Sequence, residues 1–162
     1  MSAEVLLRKC RLEDCDTWVT LNQQYVNSEL AEVDFWCLKY IDAKEQFEVF
    51  KRTFYAALRE PEHCILFAIE ADGNIVGFAN CMTIFSIWAH GRALVLEDLF
   101  IVEDARGKGY GRETMLQLKQ YAKDQGYKRL QFKTFSSDVD AADFYRKMGY
   151  TFTTMNFYRH YF

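Results

Sequence analysis

The segment VLEDLFIVEDARGKGYGRETM (residues 95–115) places an apolar run before three alternating glycines and a helical pattern. We predict a buried strand over Ala93–Val102, followed by a helix that the loop Arg106–Gly111 opens and that runs to about Gln125. The glycines between them lack side chains, so backbone N–H groups can converge there, and the helix N-terminus adds partial positive charge. The segment therefore predicts an anion site suited to a pyrophosphate.

The residues around the glycines narrow the kind of ligand. Arg106, Lys108 and Arg112 add full positive charges to the loop. A nucleotide P-loop requires Lys and then Ser or Thr after the last glycine, whereas Gly111 is followed by Arg112. The dinucleotide-binding pattern also fails, because the third position after Gly109 is Arg112 rather than glycine. From these residues alone, a tight strand–helix turn without a ligand remains the alternative.

A second motif, SDVDAADFYRKMGY (residues 137–150), follows downstream. The loop RGKGYG resembles the acetyl-CoA loop of the GNAT superfamily of N-acetyltransferases, and the downstream motif resembles that family's closing motif. Asp138 departs from the Asn that the family usually carries there. The positions that match in the closing motif are Ala141, Phe144, Tyr145, Gly149 and Tyr150. The resemblance is specific from about Leu94 to Phe152, and VLEDLF is most similar to the diamine and polyamine acetyltransferase branch.

Hydrophobic periodicity predicts the helices and strands of the whole chain. We predict strands over Val5–Arg8, Cys64–Ala71, Ile75–Trp88, Ala93–Val102, Arg129–Phe135 and Thr151–Tyr158. We predict helices from near Glu13, over Ala43–Arg59, from the glycine loop to about Gln125 and over Asp138–Met148. This order predicts one α/β domain, residues 1–162, with a mixed sheet. The resemblance implies the GNAT fold, with six to seven strands flanked by about four helices.

The resemblance also implies which residues bind acetyl-CoA. Backbone groups of one strand would pair with the pantetheine arm, and the glycine loop would hold the pyrophosphate. The expected contacts are Leu99, Phe100, Ile101, Val102, Arg106, Gly107, Lys108, Gly109, Tyr110, Gly111, Arg112, Asp138, Tyr145 and Lys147. An exposed helix lysine is the alternative for Lys147.

Two residues are candidates for catalysis. Tyr145 matches the family's tyrosine beside the coenzyme sulfur and would protonate the leaving thiolate; the alternative is a core aromatic. Glu97 interrupts a strand that is otherwise apolar on both faces, and a buried carboxylate requires a partner or a purpose. The resemblance to polyamine-type members implies that Glu97 accepts the amine proton. We expect Asp98 to point to the opposite face and to satisfy backbone groups or an arginine.

The acceptor is expected to be a small primary amine, such as a diamine or polyamine. An acidic and aromatic cluster could bind a cation together with Glu97, although a solvated helix end is the alternative. The residues of this cluster are Glu29, Glu32, Asp34 and Trp36. Aminoglycosides, protein or peptide amines, and a catalytically silent acyl-CoA sensor remain alternatives, because a fold does not fix its substrate.

Composition excludes several other classes. The 162 residues are 50% hydrophobic and 27% charged, which is typical of a globular domain, and the net charge of −3 argues against broad nucleic-acid binding. Five cysteines without a C-x-x-C pair favour neither disulfides nor a metal site. The N-terminus has no signal-peptide pattern, and no apolar stretch suits a membrane span, so we expect a cytoplasmic protein. The aromatic C-terminus, FYRHYF, could pack between the subunits of a homodimer.

Overall fold

The computed structural model describes residues 4–28 and 41–162. Within these ranges the chain forms four α-helices and five strands. The helices are α1 (Cys15–Asn27), α2 (Ala43–Leu58), α3 (Tyr110–Asp124) and α4 (Val139–Lys147). The strands are β1 (Val5–Lys9), β2 (Cys64–Ala71), β3 (Asn74–Ser86), β4 (Gly91–Ile101) and β5 (Arg129–Phe132). The predicted α/β class is confirmed.

The five strands form one sheet in the order β1-β2-β3-β4-β5. The first three neighbouring pairs are antiparallel. At the β2–β3 turn, Asp72 (φ 51°) and Gly73 (φ 76°) adopt the left-handed conformation that a tight hairpin requires. The connection from β4 to β5 runs through α3, and a helical crossover joins parallel neighbours. The sheet is therefore mixed.

Helices α1 and α2 cover one face of the sheet. Their apolar residues pack with Phe78 of β3 and Phe100 of β4. Trp18 of α1 is 4% exposed, and its ring centroid lies 5.4 Å from that of Phe54, which is fully buried. The apolar side chains of α2 are thus part of the core.

Helix α3 covers the other face. Tyr110, at its first turn, packs with Val5, Ile69 and Ala105. Its Gln117 side chain donates to the Val5 carbonyl (2.7 Å) and accepts from the Leu7 N–H (2.8 Å). Because β1 is an edge strand, these two bonds satisfy backbone groups that no neighbouring strand pairs.

The chain divides into two compact units, residues 1–131 and residues 132–162. The second unit contains α4 and an aromatic cluster of Phe132, Phe144, Tyr145 and Tyr150.

Two of the predicted strands differ from the structure. Strand β5 ends at Phe132 rather than Phe135, and no strand forms over Thr151–Tyr158, so the described sheet has five strands rather than six or seven. A strand exists only where a neighbour accepts its hydrogen bonds, and residues 151–162 are exposed throughout. Side chains hold this tail instead: Lys133 Nζ lies 3.5 Å from the Phe157 ring centroid.

Candidate active site

Strand β4 contains a one-residue bulge at Glu97. Asn80 of β3 pairs with Asp98, whereas the next residue, Cys81, pairs with Leu96, so Glu97 is the extra residue. In such a bulge two residues of one strand oppose a single residue of its neighbour, and the ladder is locally disrupted. Both carboxylates, Glu97 and Asp98, therefore oppose Asn80.

The bulge changes which way the carboxylates face. Asp98 pairs with Asn80 as Phe100 pairs with Phe78, and strand alternation puts all four on the face that α1 and α2 cover. Leu96 pairs with Cys81, so it lies on the opposite face of the sheet from Asp98. In an unbroken strand, Leu96 and Asp98 would share a face and Glu97 would lie on the other. The expectation that Asp98 and Glu97 face opposite ways assumed an unbroken alternation, which the bulge interrupts, and it stays a prediction.

Glu97 is exposed, and Asp98 is half-buried. The expectation of a buried Glu97 is wrong, since the bulge lifts this residue out of the paired ladder. Its role as a base thus rests on position rather than on an uncompensated burial, and stays a prediction. Asn80 Nδ2 donates to Asp98 Oδ2 over 3.4 Å.

The carboxylates at the bulge affect the pKa values of two nearby cysteine thiols, Cys64 and Cys81. Burial first, and then the charges of Asp98 and Glu97, raises the pKa of the Cys81 thiol to about 12. Burial, and then the charges of Glu60 and Glu97, raises the pKa of the Cys64 thiol. Cys64 pairs with Met82, two residues from Asn80, so it shares the face of Asp98. Three carboxylates therefore contribute negative potential to this part of the sheet.

Asn80 links the bulge to helix α1. Its Oδ1 accepts from Trp18 Nε1 (3.0 Å), and its Nδ2 also donates to Asn22 Oδ1 (3.2 Å). Asn22 is 3% exposed and donates in turn to the Trp18 carbonyl (2.7 Å). Asn80 is not among the site residues predicted from the sequence, and β3 also contains Asn74, Thr83 and Ser86, so its amide did not stand out.

The glycine loop follows β4, as predicted. Gly107 (φ 74°) and Gly109 (φ 83°) are left-handed, and a Cβ on either would meet open space. Gly109 precedes the first turn of α3, where the N–H groups of the first helical residues have no acceptor within the helix. Lys108 and Arg112 are exposed beside them. These donors and charges fit the pyrophosphate of a coenzyme A.

Other predicted coenzyme residues differ in what their side chains do. Arg106 Nε donates to the Ile101 carbonyl (2.8 Å), and its guanidinium carbon lies 5.5 Å from the Phe100 ring centroid. Its side chain therefore lies back along β4. Tyr110 is 5% exposed within the α3-side core, so only its backbone is available to a ligand.

The predicted pantetheine contacts lie at the end of β4. Phe100 is buried, whereas Leu99, Ile101 and Val102 are partly buried. Lys128, just before β5, donates its N–H to the Arg92 carbonyl at the start of β4. The four-residue β5 therefore begins beside the first half of the eleven-residue β4. Coenzyme contacts at Leu99–Val102 stay a prediction.

Tyr145 lies on α4 in the second unit and is partly buried. Its ring centroid is 4.4 Å from that of Phe132 and 5.1 Å from that of Phe144. Burial, and then the neighbouring Tyr150 and Asp138, raises its pKa above the usual tyrosine value. Its hydroxyl is therefore protonated at neutral pH and can serve as a proton donor.

Asp138 and Lys147 have local partners at the two ends of α4. Asp138 Oδ1 accepts from the Ala141 N–H (2.9 Å) as the helix N-cap. Asn and Asp cap helices about equally well, which accounts for the departure from the family's Asn. Lys147 forms an exposed ion pair with Asp143 (2.7 Å).

The predicted acceptor cluster, Glu29, Glu32, Asp34 and Trp36, lies outside the described residues. In the ranges 4–28 and 41–162, no group of three or more His, Cys, Asp or Glu side chains could hold a metal ion. No helix in these ranges is both long and apolar enough to span a bilayer.

The sequence of residues 27–150 matches the family model described as the acetyltransferase (GNAT) family. This match covers most of the chain and includes both motifs. The chain belongs to the acetyltransferase (GNAT) family.

Three known proteins show how this GNAT chain relates to the family. It is 32% identical over 60% of its length to an uncharacterised N-acetyltransferase, YhfO, of Bacillus subtilis, and spans only 65% of that relative. It is 26% identical to the thialysine N-epsilon-acetyltransferase of Sus scrofa, covering 91% of this chain and 84% of the relative. A crystal structure of an aminoglycoside N-acetyltransferase in complex with CoA is 16% identical, covers 99% of this chain and 97% of its own, and has a TM-score of 0.72.

These comparisons confirm the predicted family and the predicted GNAT fold. The predicted enzyme class, an acetyl-CoA-dependent N-acetyltransferase, is the class of this family. The individual site residues and the acceptor stay predictions.

Proposed function

We propose that this GNAT chain transfers an acetyl group from acetyl-CoA to a primary amine of a small cationic molecule, such as a diamine or polyamine. The observation that carries the proposal is the bulge, which sets Glu97 and Asp98 opposite the same residue. The nearby charge of Glu60 adds to the negative potential of this face. The Sus scrofa relative, named for thialysine, supports an acceptor that carries a side-chain amine.

Two carboxylates serve two needs of such an acceptor. An alkylamine with a lysine-like pKa is neutral in only about one molecule in a thousand at pH 7, so it must lose a proton before it can attack. Exposed Glu97 is the proposed proton acceptor, acting directly or through water. Half-buried Asp98 is the proposed partner of the charged end that does not react, because partial desolvation strengthens its attraction for a cation.

Acetyl-CoA supplies the activated thioester when it binds. Lys108, Arg112 and the N–H groups at the start of α3 are the proposed pyrophosphate contacts. A β4 backbone N–H freed from the ladder by the bulge is the proposed donor to the thioester oxygen as it gains charge. The Tyr145 hydroxyl is the proposed donor of the proton that the leaving thiolate requires.

We also propose that residues 1–162 act as one catalytic domain, since the family model runs across both compact units. Cys10, Cys15, Cys64 and Cys81 are free thiols, and a cytoplasmic location is part of this proposal. Pairing of two chains through the aromatic tail stays a prediction.

Incubation with acetyl-CoA and a panel of amines, read by mass spectrometry of the products, tests this function. The panel contains diamines, polyamines, lysine analogues, aminoglycosides and short peptides. Tyr145→Phe is expected to lower kcat about 100-fold, within the range of general-acid catalysis, and to leave acetyl-CoA binding unchanged. Tyr158→Phe is the matched control, because Tyr158 is 84% exposed in the same unit.

Each outcome decides between the alternatives. Saturable acetylation of a diamine, with a kcat that Tyr145→Phe lowers about 100-fold, supports both the reaction and the acid. Turnover of aminoglycosides or peptides alone keeps the chemistry and refutes the proposed acceptor. Tight acetyl-CoA binding without turnover of any amine indicates a sensor instead.

A further inference from the structure

The amide of Asn80 is held in one orientation by its neighbours. The indole N–H of Trp18 can only donate, so the atom of Asn80 that faces it at 3.0 Å must be the carbonyl oxygen. The amide nitrogen then faces the other way, toward Asp98 and Asn22. The Asp98 carboxylate therefore faces the amide N–H of Asn80, which can donate to it, and not the amide oxygen.

Trp18 cannot readily turn away from Asn80. It is 4% exposed, and its ring lies among Phe50, Phe54 and Phe78, with centroid distances of 6.1, 5.4 and 6.4 Å. Rigid packing of this kind fixes the direction of the indole N–H. The orientation of the Asn80 amide is therefore set by the aromatic core.

We propose that Asn80 is a positioning residue that aims the Asp98 carboxylate at the charged end of the amine acceptor. This inference rests on the proposed function and deepens it, because it assigns the selection of a dication to a relay from Trp18 through Asn80 to Asp98. Asn80 Nδ2 donates to Asp98 Oδ2 over 3.4 Å, and this contact restricts the orientation of the carboxylate.

Exchange of the two side chains tests the proposal. Asn80→Asp removes the donor and places two carboxylates opposite each other. The double variant Asn80→Asp/Asp98→Asn restores one carboxylate and one amide, so the net charge and a hydrogen bond between the two positions are kept. Only the location of the charge differs, because the carboxylate then lies on β3 beside Trp18. Asn74→Asp, at an exposed turn, is the control for added charge.

The kinetic constants for 1,4-diaminobutane and acetyl-CoA, and the melting temperature, are measured for each variant. Asn80→Asp is expected to raise the KM for the diamine about tenfold, as expected for loss of a hydrogen bond to a charged group, with the KM for acetyl-CoA unchanged. The exchange is expected to recover the melting temperature of the wild type and to leave the KM for the diamine raised. A merely structural role would recover both together.

Three results overturn the proposal: an unchanged or lowered diamine KM in Asn80→Asp, an equal change in Asn74→Asp, or recovery of the diamine KM by the exchange. Calorimetric binding of 1,4-diaminobutane to the protein with CoA separates this proposal from the proposed function. A wild type that binds the diamine without acetylating it refutes the proposed function, and the variants then test Asn80 by affinity. A wild type that binds no diamine overturns both.

Discussion

Replacement of Glu97 by Gln removes one charge from the bulge and keeps the size of the side chain. Glu97 is exposed, so its attraction for an ammonium group acts through a water-like dielectric and amounts to about 1 kcal/mol at 4 Å. We therefore expect the KM for a diamine to rise only about fivefold. Loss of a general base has a larger effect, and we expect kcat at pH 7 to fall about 100-fold.

The pH dependence distinguishes the two roles of Glu97. Between pH 7 and pH 9 the neutral fraction of an amine with a pKa near 10.4 rises about 100-fold. An enzyme without its base depends on amine that is already neutral, so the defect of Glu97→Gln is expected to shrink as pH rises. Initial rates at saturating acetyl-CoA, measured by mass spectrometry from pH 7 to pH 9, check this expectation.

Glu48→Gln is the matched control, because Glu48 is also exposed but lies on α2. It makes the same change in net charge at a distant position. The reasoning is refuted if both variants behave alike, or if the ratio of wild-type to Glu97→Gln rates is constant across the pH range.

Three further predictions concern the loop, the helix cap and the core. Gly109→Ala is expected to weaken acetyl-CoA binding in a calorimetric titration, because it forces alanine into a left-handed conformation (φ 83°) beside the pyrophosphate site. Gly126→Ala (φ 75°), at the other end of α3, is the control: it should lower the stability by a similar amount and leave acetyl-CoA binding unchanged. Asp138→Ala is expected to lower the free energy of unfolding by about 1 kcal/mol in urea, whereas Asp138→Asn should be neutral, and an equal loss in both would contradict the capping role. Asp14→Asn is expected to cost about 3 kcal/mol at pH 7, because Asp14 is 5% exposed and paired with Arg8 (2.7 Å). The hydrogen bond from Arg8 holds the pKa of Asp14 below its ordinary value of 3.8. The contribution of Asp14 to the free energy of unfolding is therefore fully present above pH 3.8 and is lost as the pH falls through the lower pKa of the folded state. A difference in stability from the wild type that persists in acid would refute this prediction.

The sequence predicted those parts of the fold whose signals are local. The glycines at 107 and 109 predicted the loop because only a residue without a side chain adopts their conformation without strain. The bounds of β2, Cys64–Ala71, were predicted to the residue, because a hairpin turn and an apolar run define them.

The bulge could not be predicted, because it depends on pairing between strands. Nothing in the residues around Glu97 marks it: no glycine or proline is present, and the pattern is compatible with an unbroken strand. Register belongs to the pair β3–β4, and one extra residue reverses the face of every residue on one side of it. The absent strand at Thr151–Tyr158 has the same origin, since strand-forming residues need a neighbour that the sequence does not identify.

The bulge at Glu97 also determines which sequence changes can alter the side chains opposite Asn80 without altering the register of the sheet. The ladder resumes at Asp98, and Phe100, two residues further on, lies in the core. Deletion of one of the two would instead close the bulge and leave a single side chain opposite Asn80. Point mutations at positions 97 and 98 can therefore change the proposed acceptor contacts while the register of β3 and β4 is kept, whereas a deletion at the bulge changes both.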